Sequence, residues 1–436
     1  MAEKLPICIL GPSFKDNQTL SAATALGFAK RPSIDDIKSR LKQIRDSALA
    51  NNDTLIDDLK KRLDQFKNLH VFSADTAQTA ANYIKELADT IDIVSINKSS
   101  TVIHELKPEL VKLGFTCIDS YFNEFRAFEN KVHDYWQLAN IKPEELFNSF
   151  DITAKLSLVP SNNNGPYKTK NYIAVLGVNA ASAEDGTLFF MQHFSNITKD
   201  LEQAQKVILI IGLEKILSNN EDAEFLTKCM GIFGIQGILM DLLPTNDKGQ
   251  FTDNLLSSVN QENREIHVIL LDNGRKALLN SPYRDLFLCI GCRACLQKCP
   301  VSKALREDDV VWSPVNYLKI FERGDIESID ACLHCEGCRL QCPLDIDIPQ
   351  LMWKVKMKSL GKQKRKLKSL LLDNPELLAK LGATFSPLSN MVVNQSIVRT
   401  LIEKIAGVHR ESRMPSFHHQ TFRKWYKSQY GNKNDS

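Results

Sequence analysis

The chain has 436 residues, 43% of them hydrophobic and 25% charged, the make-up of an ordinary globular protein of two to three domains. A disordered chain, a collagen-like chain and a small disulfide-stapled scaffold are thereby excluded. The formal net charge of +3 selects no class of partner, but it is unevenly spread: residues 350–436 hold 17 Lys/Arg against 5 Asp/Glu, a net of +12, which leaves −9 for the remainder.

The N-terminal stretch MAEKLPICILGPSFKDNQ lacks the basic start and long apolar core of a secretory signal. The most apolar runs, 207–212 and 266–271, are far shorter than the ~20 residues of a membrane span. The expectation is a cytoplasmic protein with reduced thiols.

Ile34, Ile37, Leu41, Ile44 and Ala48 recur at spacings of three and four and predict a helix, with Ser33 as its N-cap after Pro32. Asp53 starts a second helix with Leu55, Ile56, Leu59, Leu63 and Phe66 on one face. These helices make up an N-terminal helical region, 1–69.

From residue 70 the pattern alternates. HVF (70–72), IDIVSI (91–96), FTCI (115–118), NYIAVLGV (171–178), GTLFFM (186–191), KVILIIG (206–212), IQGILM (235–240) and EIHVILLD (265–272) read as strands. Helices are expected at about 76–89 and 100–113, and VPSNNNGPYK (159–168) is a turn-rich loop. Continuous apolar strands alternating with helices predict one α/β domain over 70–280, built on a sheet covered on both faces. Past 283 the strand pattern stops. A cysteine segment, 283–350, includes a helical stretch at 314–321. A basic tail, 351–436, reads as helical and broken at Pro375, Pro387 and Pro415.

Eight of the eleven cysteines fall within 54 residues, as CIGCRACLQKCP (Cys289, Cys292, Cys295, Cys299) and CLHCEGCRLQCP (Cys332, Cys335, Cys338, Cys342). Each is C-x2-C-x2-C-x3-C-P, the ferredoxin spacing for [4Fe–4S] clusters. Three closely spaced thiolates wrap one cubane, and the fourth is turned away by the following proline to the other cluster. Two clusters are therefore expected, one on Cys289, Cys292, Cys295 and Cys342, the other on Cys332, Cys335, Cys338 and Cys299. Zinc would require a longer gap between its cysteine pairs. The 32 residues between the motifs read as helical, so the module is expected to be an α-helical two-cluster ferredoxin domain. Gly291 and Gly337 are expected to let backbone amides approach cluster sulfur, and His334 to be an exposed spacer. GIFGIQG (231–237) has the wrong spacing for a dinucleotide fingerprint, and no P-loop, G-x-S-x-G or H-E-x-x-H occurs.

Several stretches resemble the lactate-utilisation iron–sulfur proteins, a LUD domain followed by a two-cluster ferredoxin segment. They are INKSSTVIHEL (96–106), VNAASAEDGTLFF (178–190), IIGLEKIL (210–217) and VILLDNGRKALL (268–279), with DSYFNEF (119–125) only partly matching. The resemblance implies an α/β LUD domain of NagB/RpiA/CoA-transferase-like fold and a role in oxidising lactate or a related 2-hydroxy acid. NQSIVRTLIEKIAGVHRESRMPSFHHQTFRKWY (394–426) resembles the linker of anaerobic glycerol-3-phosphate dehydrogenase iron–sulfur subunits, which precedes CCG domains of the heterodisulfide-reductase type. No CCG pair occurs in this sequence, so a separate CCG subunit, or a flavin dehydrogenase subunit, is the expected partner. The basic run at 354–368 adds an expected contact with an acidic partner or the inner face of the membrane. Nucleic acid is not expected, because no base-reading module accompanies the run.

No residue is assigned a catalytic role. Candidate substrate-binding residues are Ser99 and Ser100, with Lys98, at a helix start; Glu184 and Thr187 beside Gly186; and Arg275, placed by Asp272, Asn273 and Gly274 to fork a carboxylate. Glu214 and Lys215 are weaker candidates. The functional expectation is an electron-transfer subunit passing electrons through two [4Fe–4S] clusters to a CCG-type or quinone-linked acceptor. Two alternatives stand beside it: a LUD domain that is itself the dehydrogenase, or a carboxylate-binding module with structural clusters.

Overall fold

The structure is a computed structural model that describes residues 5–12, 35–120, 150–158, 170–191, 196–234, 265–297, 299–301, 332–360, 374–414 and 416–431. It divides into two compact units, Met1–Lys354 and Val355–Ser436. Ser33, the expected 235–240 strand, the 159–168 loop and the 314–321 helix lie outside the described residues.

The first unit is built on a six-stranded sheet, entirely parallel. Its members are β2 (Leu69–Ala74), β3 (Ile93–Ile96), β4 (Thr116–Asp119), β6 (Lys170–Gly177), β9 (Ala204–Gly212) and β11 (Glu265–Leu271), in the order β2-β11-β9-β6-β3-β4. The six residues from Val207 to Gly212, and those from Ile266 to Leu271, are all buried. That is why these strands are continuously apolar: helices or loops cover both faces of a parallel sheet. One face packs on α3 (Ala77–Leu87), where Ala80, Ala81 and Ile84 join Val94, Val175, Ile208 and Ile269 in the core. Thr76 caps α3 through its side chain, which accepts from the Thr79 amide.

The expected helix at 100–113 forms with an irregularity. Val102–Leu106 is a π-helical turn, followed by α4 (Lys107–Lys112). Pro108 explains it: a proline cannot donate to the carbonyl four residues back and clashes with it, so the turn before it widens.

The single-sheet expectation needs correction. The 186–191 strand, observed as β8 (Leu188–Met191), belongs to a second, mixed sheet. Its partners are β1 (Leu5–Pro12), β5 (Phe150–Leu158), β7 (Ala180–Ser182) and β10 (Ile216–Leu217), in the order β10-β7-β8-β1-β5. Pro6 is tolerated in β1 because pairing to β8 begins one residue later, at Ile7. The N-terminal helices α1 (Asp35–Ala50) and α2 (Asn52–Leu63) pack against β10 of this layer, and α1 also packs against α6 (Asn220–Phe233). Helix α5 (Asn196–Gln203) packs on β6 and β9 of the parallel sheet and leads into β9.

The carboxyl edge of the parallel sheet is tied together by buried polar groups. Asn97, after β3, exchanges two hydrogen bonds with the backbone of Gly177, at 3.0 and 2.9 Å. Glu214, after β9, and Glu105, in the π turn, both hold Arg275, the first residue of α7 (Arg275–Leu279). Glu214 reaches that position because Gly212 has no side chain; a Cβ there would land on the Glu214 carboxylate. Among the described residues no helix is long and apolar enough to cross a membrane.

The second unit contains α11 (Pro375–Thr384), α12 (Leu388–Val393), α13 (Ser396–Ala406) and α14 (Phe422–Tyr430). Pro375 opens α11 at its first turn rather than breaking a helix, where a missing N–H costs nothing. Phe417 packs on Gly382, and Asn390 exchanges hydrogen bonds with the Phe417 backbone at 2.8 and 2.9 Å.

Gly212→Ala is expected to push Glu214 out of its pairing and leave Glu105 as the carboxylate that holds Arg275. The loss of stability should be about 1–3 kcal/mol, the cost of buried hydrogen-bonding groups left unpaired, read by chemical denaturation of the full chain.

Candidate iron–sulfur sites

The first motif follows a 3-10 turn, Arg284–Leu288, whose last three residues are buried. Cys289, Cys292 and Cys295 then wind around a cavity. Gly291 is left-handed there (φ 75°), and its amide donates to the Cys289 sulfur at 3.4 Å. Arg293 is also left-handed (φ 62°) and starts the turn into α8 (Ala294–Gln297). The fourth thiol lining this cavity is Cys342, from the second motif, with Ile290, Leu344, Ile346 and Ile348 making the wall apolar.

The second motif is built the same way. Cys332, Cys335 and Cys338 line a cavity whose fourth thiol is Cys299, from the first motif. The left-handed positions are His334 (φ 49°) and Glu336 (φ 60°), the counterparts of Gly291 and Arg293. Gly337 is the first residue of α9 (Gly337–Gln341), the counterpart of Ala294, and its φ is not positive. His334 is not a free spacer: it lines the second cavity and sits edge-on to Trp353, 5.3 Å between centroids. Helices α8 and α9 pack on each other, and after the second motif the chain enters α10 (Ile348–Leu360).

Among the described residues no three His, Cys, Asp or Glu side chains converge as for a single ion; each set of four thiols stands instead around the wall of a cavity. Cys295, Cys299, Cys338 and Cys342 are buried, and Cys335 is exposed. Burial, reinforced by Cys332 and Cys299, pushes the free Cys338 thiol up to about 12. Burial also pushes Cys342 up to about 11, against backbone amides of Leu344 and Ile346, with Cys289 adding to the rise. Thiols this buried need a cation to be held as thiolates, which iron supplies. Sulfur-only donors, apolar walls and an amide aimed at sulfur fit a [4Fe–4S] cluster.

The two cavities differ in their surroundings. The first lies against the carboxyl edge of the parallel sheet: a Cβ on Gly291 would stand 3.8 Å from the Ser100 hydroxyl, and one on Gly234, just after α6, would meet the Cys292 carbonyl. At the second, two of the lining residues reach the surface, Cys335 and Leu333, the latter 67% exposed.

The candidate substrate residues do not form one site. Arg275 is buried, and its five donors are committed inside the protein: to both carboxylate oxygens of Glu105 (2.9 and 2.8 Å), to Glu214, to the Asp272 carbonyl (2.9 Å) and to Thr101 (3.4 Å). Burial alone would lower its pKa, but Glu105 and Glu214 raise it above the ordinary value, so it stays charged. It therefore has no donor left to fork a bound carboxylate, which corrects the expectation for it. Asp272 accepts from the Lys276 amide, and Asn273 (φ 47°) accepts from the Ala77 amide. Ser99 is buried with its hydroxyl packed on Gly177, and Ser100 faces the first motif. Glu184 and Thr187 sit in the turn between β7 and β8, left-handed at Gly186 (φ 81°). Glu184 lines an open polar cleft with Asp58, Lys61, Arg62 and Asn219. Lys215 donates to the Val178 carbonyl at 2.8 Å.

Known proteins match in the same two parts. The LUD domain family matches residues 56–271, and the 4Fe-4S dicluster domain family matches residues 283–346. Among curated proteins, the chain is similar to lactate utilization protein B of Lysinibacillus sphaericus, at 24% identity over 73% of this chain and 70% of the relative. It is also similar to lactate utilization protein B of Bacillus cytotoxicus, at 22% over 95% of this chain and 94% of the relative, and to that of Anoxybacillus flavithermus, at 24% over 83% and 82%. No solved structure matches the chain.

The crossed arrangement has a direct readout. Cys299→Ser should impair the cluster of the second motif and spare the first, and Cys342→Ser the reverse, as seen in the electron paramagnetic resonance signals of anaerobically reconstituted protein.

Proposed function

Starting from a chain that joins a LUD domain to a 4Fe-4S dicluster domain, we propose that it is the electron-transfer subunit of a complex oxidising lactate or a related 2-hydroxy acid. The observation that carries this reading is the serial placement of the two cysteine-lined cavities. One abuts the carboxyl edge of the LUD sheet, where ligands of open α/β sheets bind, and the other reaches the surface at Cys335 and Leu333. A [4Fe–4S] cluster held in each supplies one-electron uptake and release. The cysteines hold it, the Gly291 amide hydrogen-bonds the Cys289 sulfur, and Ile290, Leu344, Ile346 and Ile348 keep water from the first site. The substrate class comes from the relatives, which are named for lactate utilization.

The two-electron step belongs, in this reading, to a partner. Arg275 has no free donor for a carboxylate, and the sequence carries no dinucleotide fingerprint. A flavin dehydrogenase subunit would deliver electrons, and a CCG-type subunit would receive them.

The second unit supplies the docking surface. Ile397 and Leu401 on α13, and Phe422, Trp425, Tyr426 and Tyr430 on α14, are all exposed. The four aromatic rings of α14 touch one another, with centroids 5.0 to 6.2 Å apart. Contiguous exposed apolar surface of this kind marks an interaction site, and aromatic side chains are the usual anchors.

Two measurements test the reading. Lactate should reduce the clusters of this chain only when a dehydrogenase subunit is added; reduction by the pure chain would make the LUD domain the dehydrogenase. Phe422→Asp combined with Trp425→Asp should leave iron content unchanged and abolish co-purification with the CCG-type subunit.

A further inference from the structure

Arg45 lies on α1, upstream of both family matches. It is 1% exposed and stands in an otherwise apolar buried stripe of Leu41, Ile44 and Ala48. Its side chain does not turn back to solvent. Nε donates to the Leu288 carbonyl at 3.1 Å, one Nη to the Phe287 carbonyl at 2.5 Å, and the other to the Glu214 carbonyl at 2.7 Å. The guanidinium also faces the Phe287 ring, 6.0 Å from its centroid. Residues 287 and 288 immediately precede Cys289, so one buried cation ties the entry of the first cysteine motif to the end of β9. Burial lowers its pKa to about 10, with Glu214 and Cys289 the leading charges that hold it up, so it is charged at neutral pH.

We propose that Arg45 is a positioning residue for the first cluster, fixing the backbone into Cys289 and raising the reduction potential of the cluster held there. The proposal rests on the cluster reading above. Reduction adds one electron to a site already ringed by thiolates, and a nearby cation in a low-dielectric interior favours the more negative form. The second motif lies beyond this contact, so its cluster should not respond.

The test is an anaerobic redox titration of the reconstituted full chain, following both cubane signals alongside iron content. The signal of the first cluster is the one that Cys289→Ser removes. Arg45→Met should shift its midpoint to more negative potential and leave the second unmoved, while Arg45→Lys, which keeps the charge, should stay near the parent. A purely structural role would move the midpoint of Arg45→Lys as much as that of Arg45→Met. Intact cubanes with an unmoved first midpoint in Arg45→Met would overturn the proposal. If Arg45→Met fails to load iron, Arg45→Gln, which removes the charge and keeps donors for the carbonyls, decides: a negative shift supports the proposal and no shift overturns it. A parent chain that binds no iron would instead overturn the cluster reading beneath it.

Discussion

The fourth cysteine of each motif has to leave its own loop and complete the other cavity. This constraint organises the second half of the first unit. Pro300 and Pro343 follow Cys299 and Cys342 and turn the chain away, and the packing of α8 on α9 brings each thiol to the opposite site. Neither cavity is lined by the thiols of one motif alone. The two loops are near-duplicates at the backbone level, each with two left-handed residues before a short helix. In the first, glycine takes one of those positions. In the second, His334 and Glu336 take both, and His334 is set against Trp353.

Buried charge joins this module to the α/β layer. Arg275 closes the sheet's carboxyl edge on Glu105 and Glu214, and Arg45 hangs the chain before Cys289 on the Glu214 backbone. Such pairs add little net stability over well-packed apolar side chains, because desolvation offsets their attraction. Their geometry, however, admits few alternatives. The first cavity is thereby held at a fixed register against the strand ends.

The parallel sheet was legible because its central strands β9 and β11 are buried on both faces, so 207–212 reads as an unbroken apolar run and 266–271 as one interrupted by His267 alone. The second sheet was not, for two different reasons. FDITAKLSL (150–158) alternates apolar and polar residues perfectly, a half-buried strand pattern that carried the information, but it lies among loop-like surroundings. LPICILGP (5–12) is short and has proline near both ends. Which cysteines line each cavity was legible in their spacing. The fate of Arg275 was not, since its partners Glu105 and Glu214 lie 170 and 61 residues away. Sequence placed Arg275 at the right strand end, and only the fold shows that internal carboxylates already hold it. Arg45 did leave a trace: an arginine inside the apolar stripe 41, 44, 45, 48 of a helix.

The most direct measurement is metal content with spectroscopy on protein purified without air. Two clusters shared across the motifs require about eight irons per chain and two cubane signals after reduction. About four irons with a single signal, or zinc in place of iron, would contradict the account.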